Sequence, residues 1–478
     1  MNALLETPSD LLGIARQRIN DLRRLQAAGL ICRSGDFFPS VHYPPITMYR
    51  PITEEELFRT YTLPPDGMFD IYVHIPFCKL HCVFCHYPVK LGPQLAEKDR
   101  YLAALEKEMD LYMRRLGVDK IKVHSLLVGG GTPTYLTLPQ LERFLRFFTQ
   151  RCDLSKIEQF NYDVDPNTLL GPEGLERLRL MRSHGVDRLT IGVQSLDDSI
   201  LKKMGRHHNA ALALESIRNS QELGYQVNIE FIFGYPGQTL DNWSEMIEQA
   251  VTLGVDEIQL YRLKVEAYGD FQGAIKKYRQ IKPSEVPRPE EALLMKQLAI
   301  SILNRNGYHE NLRRVYSKKP EHFSCYAHNQ CCNLQDQIGL GLTAFSSLRD
   351  RFGLNTQYFD EYYRSIEQDR LPLNRGLVRS PEEQMRWAIV LPLKNRDVWK
   401  PLFQERTGVS LDTVFRKKIE KLVDFGLVTD NATNLALTTL GAFFADEVAQ
   451  QFQHPDYLPF PPDAYERGPL HPLEDCQP

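Results

Sequence analysis

The sequence predicts an α/β chain built as a partial six-stranded (β/α) TIM-type barrel, with an N-terminal extension and a C-terminal winged-helix-like α+β domain. Three observations carry this. The 478 residues exceed what one hydrophobic core organises and suit two or three domains. From 68 to about 350, short apolar runs alternate with longer amphipathic ones about six times, the pattern of a parallel sheet with crossover helices. After 377 that alternation gives way to helix, hairpin, helix.

The elements follow in order. Residues 1–67 read as an arm: "SDLLGIARQRINDLRRLQAAGL" has helical spacing of Leu and Ile behind a capping Ser or Asp, and "SVHYPPITMYRPITEEEL" is extended and Pro-rich. "LPPDG" at 63–67 is a turn and a boundary. In the barrel, 68–350, the strands are "FDIYVHI", "KVHSLLVGG", "QFNYDVD", "RLTIGVQS", "VNIEFIFG" and "DEIQLYRL". The helices between them repeat apolar residues every three to four positions, and most end near Gly. A linker is expected over 351–376. In 377–453, Phe415, Ile419, Leu422 and Val423 mark one helix face, followed by the hairpin "LVTD"–"NATN"–"LALTT" and the helix "LGAFFADEVAQQF". The tail, 454–478, is Pro-rich and expected to be irregular.

Composition narrows the function classes. With 42% hydrophobic and 25% charged residues and a net charge of −4, the chain has an ordinary globular balance and lacks the basic character of a nucleic-acid binder. The N-terminus has no basic start followed by an apolar run, and no stretch approaches the roughly 20 apolar residues of a membrane span. A cytoplasmic monomer with no membrane span is expected, without nucleic acid as partner. In such a compartment clustered cysteines bind metal or do chemistry more often than they form disulfides.

Three of the nine cysteines cluster in "HIPFCKLHCVFCHYP": Cys78, Cys82 and Cys85, spaced C-x3-C-x2-C directly after the first strand. Thiolates suit an iron–sulfur cluster or zinc. A closed zinc site needs a fourth ligand, for which His81 or His86 is at hand; the thiols could also be unliganded. Other strand ends bring polar and small residues to the same rim, where a barrel binds its ligands. These are Gly129, Gly130, Gly131 and Thr132 after the second strand, then Asp163, Gln194, Glu230 and, beyond the fourth strand, Arg206. Glycines there let backbone approach a ligand.

These residues resemble the radical S-adenosylmethionine (AdoMet) superfamily. "YVHIPFCKLHCVFC", "GGGTPTYL", "VDP", "IGVQS" and "GLGLTAFS" resemble in particular the oxygen-independent coproporphyrinogen III oxidase-like family, over roughly residues 40–450. The resemblance implies a [4Fe–4S] cluster on Cys78, Cys82 and Cys85, with AdoMet on the open iron and a 5′-deoxyadenosyl radical as its product. Tyr72 and Phe84 would pack around them. Gly130, Gly131 and Thr132 would meet the methionine amino group and Arg206 its carboxylate, with Gln194 and Glu230 at the ribose. Asp163 and Lys264 also fall at AdoMet positions, and Gly339 and Gly341 near a second AdoMet site. A flavodoxin- or ferredoxin-type electron donor is implied.

Four positions depart from that family. Tyr87 stands where the resembled oxidases carry a fourth cysteine, Asp163 and Glu230 exchange the family's Glu and Asp, Lys264 replaces a small residue, and "NLRRVYSKKP" replaces a His-bearing segment. A changed substrate end leads to the expectation of a class C methyltransferase-like enzyme that uses a second AdoMet on a flat, conjugated substrate. Tyr43, Tyr49, Tyr316, Tyr358, Tyr362 and Tyr363 are candidates to line its pocket, and Cys331 or Cys332 to donate hydrogen. The alternatives are a coproporphyrinogen III oxidase and a haem chaperone of the same fold, with His309, His322 or His328 as axial ligands.

Overall fold

The computed structural model describes residues 8–35, 41–263 and 273–474. Among them the chain divides into two compact units. One comprises Ile46–Glu230 with Ser324–Ser380; the other comprises Met1–Pro45, Phe231–Phe323 and Pro381–Pro478. Lys264 lies outside the described residues.

The first unit is built on a sheet whose barrel strands are β1 (Met68–Ile75), β2 (Ile121–Gly130), β3 (Gln159–Val164) and β4 (Arg188–Gln194). β1 pairs in parallel with β2, β2 with β3, and β3 with β4. The next strand, β5 (Gln226–Phe233), neighbours β4 and crosses the division at Glu230. The other edge of β1 pairs in parallel with Gln337–Leu340.

The two faces of this sheet differ sharply. Ile71 and Val73, Leu126 and Val128, Phe160, Tyr162 and Val164, and Leu189, Ile191 and Val193 share one face, and each is 5% exposed or less. Each such side chain contributes about 1.5–3 kcal/mol by leaving water. The opposite face carries Asp70, Tyr72 and His74, then Ser125 and Gly129, Asn161 and Asp163, and Thr190, Gly192 and Gln194. That is the lumen, and apart from Leu127 opposite Tyr72 it is polar or small. Buried Arg188 is satisfied there, donating to Asn161 Oδ1 at 2.7 Å and Thr190 Oγ1 at 3.0 Å.

Period-two alternation breaks once in β2. Phe69 pairs with Val123 but Asp70 with Ser125, so His124 is an extra residue opposite the β1 step. This bulge is what turns Gly129 rather than Val128 toward the lumen.

The stretch expected as a linker, 351–376, belongs to this unit's sheet. Arg351–Asn355 and Leu373–Val378 form an antiparallel pair flanking helix Phe359–Glu367, and Phe345–Leu348 joins them to Gln337. Local sequence shows no long-range pairing, which is why these short strands read as a connection. The expected arm also divides, at Pro45: helix Pro8–Ala27 belongs to one unit and helix Glu54–Phe58 to the other.

The second unit holds the end of β5 and β6 (Glu257–Arg262), which pairs antiparallel with Val315–Ser317. The replaced segment "NLRRVYSKKP" is therefore part of the hairpin His309–Leu312/Val315–Ser317. Its C-terminal part has the expected winged-helix order. Asp397–Trp399, Asn434–Leu437 and Val428–Asp430 make an antiparallel sheet beside helices Pro381–Asn395, Lys400–Thr407 and Leu411–Asp424. Phe415, Ile419 and Leu422 are buried, whereas Val423 is 41% exposed and turns off the expected face. The expected helix from Leu440 breaks at Phe444 (φ −115°, ψ 38°) into Thr439–Phe443 and Ala445–Gln450. Among the described residues no helix is long and apolar enough to cross a membrane.

Candidate active site

The first strand delivers the cysteine loop. After β1, Phe77–Cys78 pairs with Lys90–Leu91, which holds the loop's two ends together. Cys78 Sγ lies 3.5 Å from Thr132 Oγ1, and Arg206 Nη1 donates to Cys82 Sγ at 3.4 Å. Cys85 N donates to Cys82 O at 3.0 Å, closing the second interval as a turn. Burial pushes the Cys78 thiol up to about 11, and Cys82 and Cys85 add to the shift, so the three thiols share one electrostatic environment.

The glycine run meets this loop through backbone. Gly131 N donates to Ile75 O at 2.9 Å and Thr132 N to Phe77 O at 2.7 Å. Gly130 has φ +111°, and a Cβ there would sit 2.8 Å from the His74 ring. A Cβ on Gly129 would lie 2.5 Å from Asp163 Oδ2. Only glycine admits these approaches.

Arg206 is the hub of the site. It is almost wholly buried, and Nη2 donates to Asp165 Oδ2 at 2.9 Å and to Gly192 O at 2.6 Å. Its Nε has no partner. Burial opposes ionisation of Asp165, but Arg206 and His207 outweigh it and hold the carboxyl below its ordinary range. Gln194, buried at the end of β4, adopts φ +68°, a strained conformation for a residue with a side chain. Asp163, under Gly129, is pushed up to about 6 by burial despite Arg188, Asn161 and Thr190. Tyr72 is hydrogen-bonded to His74 Nδ1 at 3.1 Å, and His74 Nε2 has no partner. Burial lowers His74 to about 3, so it is neutral. Tyr87 lies with its ring 5.8 Å from His74 and is 55% exposed. Phe84 and Glu230 are half-buried.

These residues fit the group that the resemblance implies. Among the described residues no three His, Cys, Asp or Glu side chains converge as ligands of a single ion. Three thiols on one short loop, close enough for Cys82 and Cys85 to act on Cys78, have the chemistry of a cubane that takes one iron on each. The buried N–H of Arg206 and the bare His74 Nε2 are polar groups waiting for a ligand beside that loop.

Other expected residues are placed elsewhere. Gly339 packs against the Phe345 backbone, and Gly341 N donates to buried Glu108 at 2.8 Å, so both glycines serve close packing. Cys331 and Cys332 end helix Cys325–Cys331, whose Tyr326 ring lies 6.1 Å from Tyr72; Cys331 Sγ is bonded to Gln330 Oε1 at 3.1 Å. The six tyrosines divide between the two units, Tyr43 and Tyr316 in one and the other four in the other. Tyr362 donates to Glu108 at 2.6 Å, Tyr43 accepts from His454 N at 3.0 Å, Tyr49 packs on Phe352, and Arg100 covers Tyr363. Tyr316 is buried and Tyr358 exposed. Aromatic burial explains the other five without a substrate. His309 is exposed, His322 faces Asp256 at 3.4 Å, and His328 is bonded to Asn333 at 3.3 Å.

Sequence reasoning missed His74 and Asp165. Their signals are the alternation of "DIYVHI", which puts His74 on the face of Tyr72, and the Asp-Pro step, where Asp165 caps the turn after β3.

A parallel-stranded partial barrel with a three-thiol loop at its mouth defines the class, and comparison with known proteins agrees. The radical SAM superfamily model matches residues 72–250 and the HemN C-terminal domain model matches 380–444. The heme chaperone HemW of Bacillus subtilis is 29% identical, over 80% of this chain and 98% of its own. An oxygen-independent coproporphyrinogen III oxidase of Helicobacter pylori is 24% identical, over 89% of this chain and 93% of its own. The solved coproporphyrinogen III oxidase HemN of Escherichia coli superposes with a TM-score of 0.75 at 22% identity, over 87% of this chain and 96% of that one, and shows the same fold. The chain belongs to the radical SAM superfamily and, within it, to the oxygen-independent coproporphyrinogen III oxidase-like family. That family implies a [4Fe–4S] cluster and AdoMet. The expected methyltransferase branch gains no support from these relatives, which are oxidases and heme chaperones.

Proposed function

We propose that this chain is an AdoMet-cleaving iron–sulfur enzyme acting on a tetrapyrrole, of the coproporphyrinogen-oxidising kind. The observation that carries it is Arg206, buried between Cys82 and Asp165 with its Nε unpartnered. When bound, a cluster held by Cys78, Cys82 and Cys85 would supply the electron that breaks a C–S bond of AdoMet, leaving methionine and a carbon-centred radical able to take hydrogen from a C–H bond. The chain's own residues orient and enclose the reactants. Arg206 Nε offers a donor to the AdoMet carboxylate while Asp165 fixes the guanidinium plane. Gly130, Gly131 and Thr132 present backbone to the amino group; Gln194, Glu230 and Asp163 present acceptors from the lumen face. Neutral His74 and Tyr72 form the floor. Lys264 is retained only by its place in the family pattern. One AdoMet suffices for this reading, since Gly339 and Gly341 are occupied by packing.

The substrate class comes from the relatives. Two of the three reported are coproporphyrinogen oxidases, and they match along most of this chain. A second reading, a heme-binding chaperone, is favoured by the HemW relative, nearly all of which is matched.

Anaerobic reconstitution, reduction with dithionite and addition of AdoMet should yield 5′-deoxyadenosine. With coproporphyrinogen III added, release of CO2 and formation of protoporphyrinogen support the oxidase. Stoichiometric heme binding without turnover replaces it with the chaperone. S-adenosylhomocysteine accompanying 5′-deoxyadenosine returns methyl transfer to the first place.

A further inference from the structure

The segment "NLRRVYSKKP" lines a recess of its own in the second unit. Leu312 pairs with Val315, so Arg313 and Arg314 are the two central residues of a tight turn. Arg314 has φ +69°, a conformation that such a turn ordinarily gives to glycine. A strand would send two consecutive side chains to opposite faces. This turn brings both onto one acceptor, for Arg313 and Arg314 each reach Asp446 Oδ2, the second at 3.6 Å. The recess has a volume of about 590 Å³, open solvent at its mouth included. It lies on the helix-covered face of β5, where Phe233 packs on Trp243 of helix Leu240–Thr252 at 5.7 Å. Leu260, Ala292 and Phe443 supply apolar walls.

Four cations line it, Arg262, Lys296, Arg313 and Arg314, with three carboxylates, Glu310, Asp446 and Glu447. Burial opposes ionisation of Asp446, but Arg313 and Arg314 outweigh it and hold the carboxyl below its ordinary range. Glu310, which accepts from Arg314 N at 2.6 Å, and Glu447 are pushed up by burial, toward the uncharged acid, although Lys296 acts against this on both. Burial pushes Lys296 down to about 8, which leaves it an ammonium at neutral pH, donating to Phe443 O at 2.6 Å. The balance of charge is therefore cationic. Asp446 adds an acceptor: its side chain is 6% exposed, and its Oδ1 has no hydrogen-bond partner among the described residues. A buried acceptor without a donor, beside crowded cations, calls for a ligand that brings both an oxyanion and an O–H or N–H.

We propose that this recess binds a small organic acid with a hydrogen-bond donor beside its carboxylate. Arg314 and Lys296 take the carboxylate, Asp446 Oδ1 takes the neighbouring donor, and Leu260 and Phe443 cover the apolar body. The proposal stands apart from the thiol loop and from the reaction proposed there.

Isothermal titration calorimetry on the full, cluster-free chain tests this, with mandelate, phenylacetate and inorganic phosphate as probes. Mandelate should bind at one site, about tenfold tighter than phenylacetate, which lacks the hydroxyl, and about tenfold tighter than phosphate, which has no apolar body. Arg314→Gly removes a guanidinium and suits the positive φ, so it should melt no lower than wild type and bind mandelate about ten- to hundredfold more weakly. Lys296→Gln keeps a donor for Phe443 O but loses the charge, and should weaken mandelate by about tenfold. No mandelate binding by the wild type overturns the proposal, as does undiminished binding in either variant that folds. Equal binding of mandelate and phenylacetate takes Asp446 out of the site and overturns the ligand class. Phosphate binding as tightly as mandelate makes the recess a bare anion site and overturns it likewise.

Discussion

Replacing Arg206 by Leu tests the hub of the site without touching a thiol. The substitution strands Asp165, whose side chain is 8% exposed, and removes the donor to Gly192 O. Breaking a buried ion pair by deleting one partner costs about 3–5 kcal/mol, because the remaining charge stays in a poorly solvating place. Asp165 keeps its hydrogen bonds from Asn167 N and Nδ2, both 3.0 Å, which favours the lower half of that range. The assay is native-state hydrogen exchange on peptides spanning 159–206 of the cluster-free protein, which reads local opening directly. A loss of about 3–4 kcal/mol appears there as roughly a 150- to 1,000-fold fall in protection.

The pH dependence has a definite sign. In the wild type Asp165 is held below its unfolded value, so its contribution is present above that value and lost as pH falls through the lower folded one. Without Arg206, burial dominates and the carboxyl rises, so the variant's deficit should shrink as pH is lowered from 7 toward 4. Arg206→Leu/Asp165→Asn should recover part of the loss, since no buried charge remains. Protection within about 1 kcal/mol of wild type, or a double variant worse than the single, would refute the account of Arg206 and Asp165 as a coupled buried pair.

Three further outcomes are expected. Cys82→Ser should abolish iron retention and 5′-deoxyadenosine formation together; iron-loaded, active protein would show that the loop is not the cluster site. Gly130→Ala should cost about 2–5 kcal/mol, combining the +111° φ with a Cβ 2.8 Å from the His74 ring, and a melting temperature equal to wild type would remove that reasoning. Asp70, buried in the lumen, is pushed up to about 8 mainly by burial, so the folded chain keeps a proton that the unfolded chain releases near pH 4. Stability should therefore fall by about 1.4 kcal/mol per pH unit between those values on this group's account, and Asp70→Asn should flatten that slope in urea titrations at pH 5 to 8.

What the sequence disclosed follows from how each feature is encoded. The thiol loop, the glycine run and the strand-end acceptors are local strings next to strands, so their chemistry and their rim were legible together. Gln194 was legible as a position but not as a strained one, because φ is set by the turn after β4. Asp165 was hidden because Arg206 reaches it only in the fold, and His74 because its closeness to Gly130 is assembled by the sheet, although its alternation with Tyr72 was readable. The strands within 351–376 were hidden for the same reason: their partners are each other, some twenty residues apart. The tyrosines misled because a buried ring satisfied by Glu108 or a backbone amide looks, in sequence, like one waiting for a flat ligand.

The extra residue at His124 has a consequence for how this chain tolerates change. Ahead of it Phe69 faces Val123; behind it Asp70 faces Ser125 and His74 faces Gly129. Deleting His124 would give β2 an unbroken ladder with both ends still in register, whereas deleting a residue on either side of it would force one end to slide by one, exchanging inside for outside. Sliding the far end would turn a valine toward the lumen where Gly129 now makes room for Asp163. Sliding the near end would push Val123 out of the core. Substitutions along this strand are thus judged one side chain at a time, while an insertion or deletion outside the bulge is judged by every side chain beyond it at once.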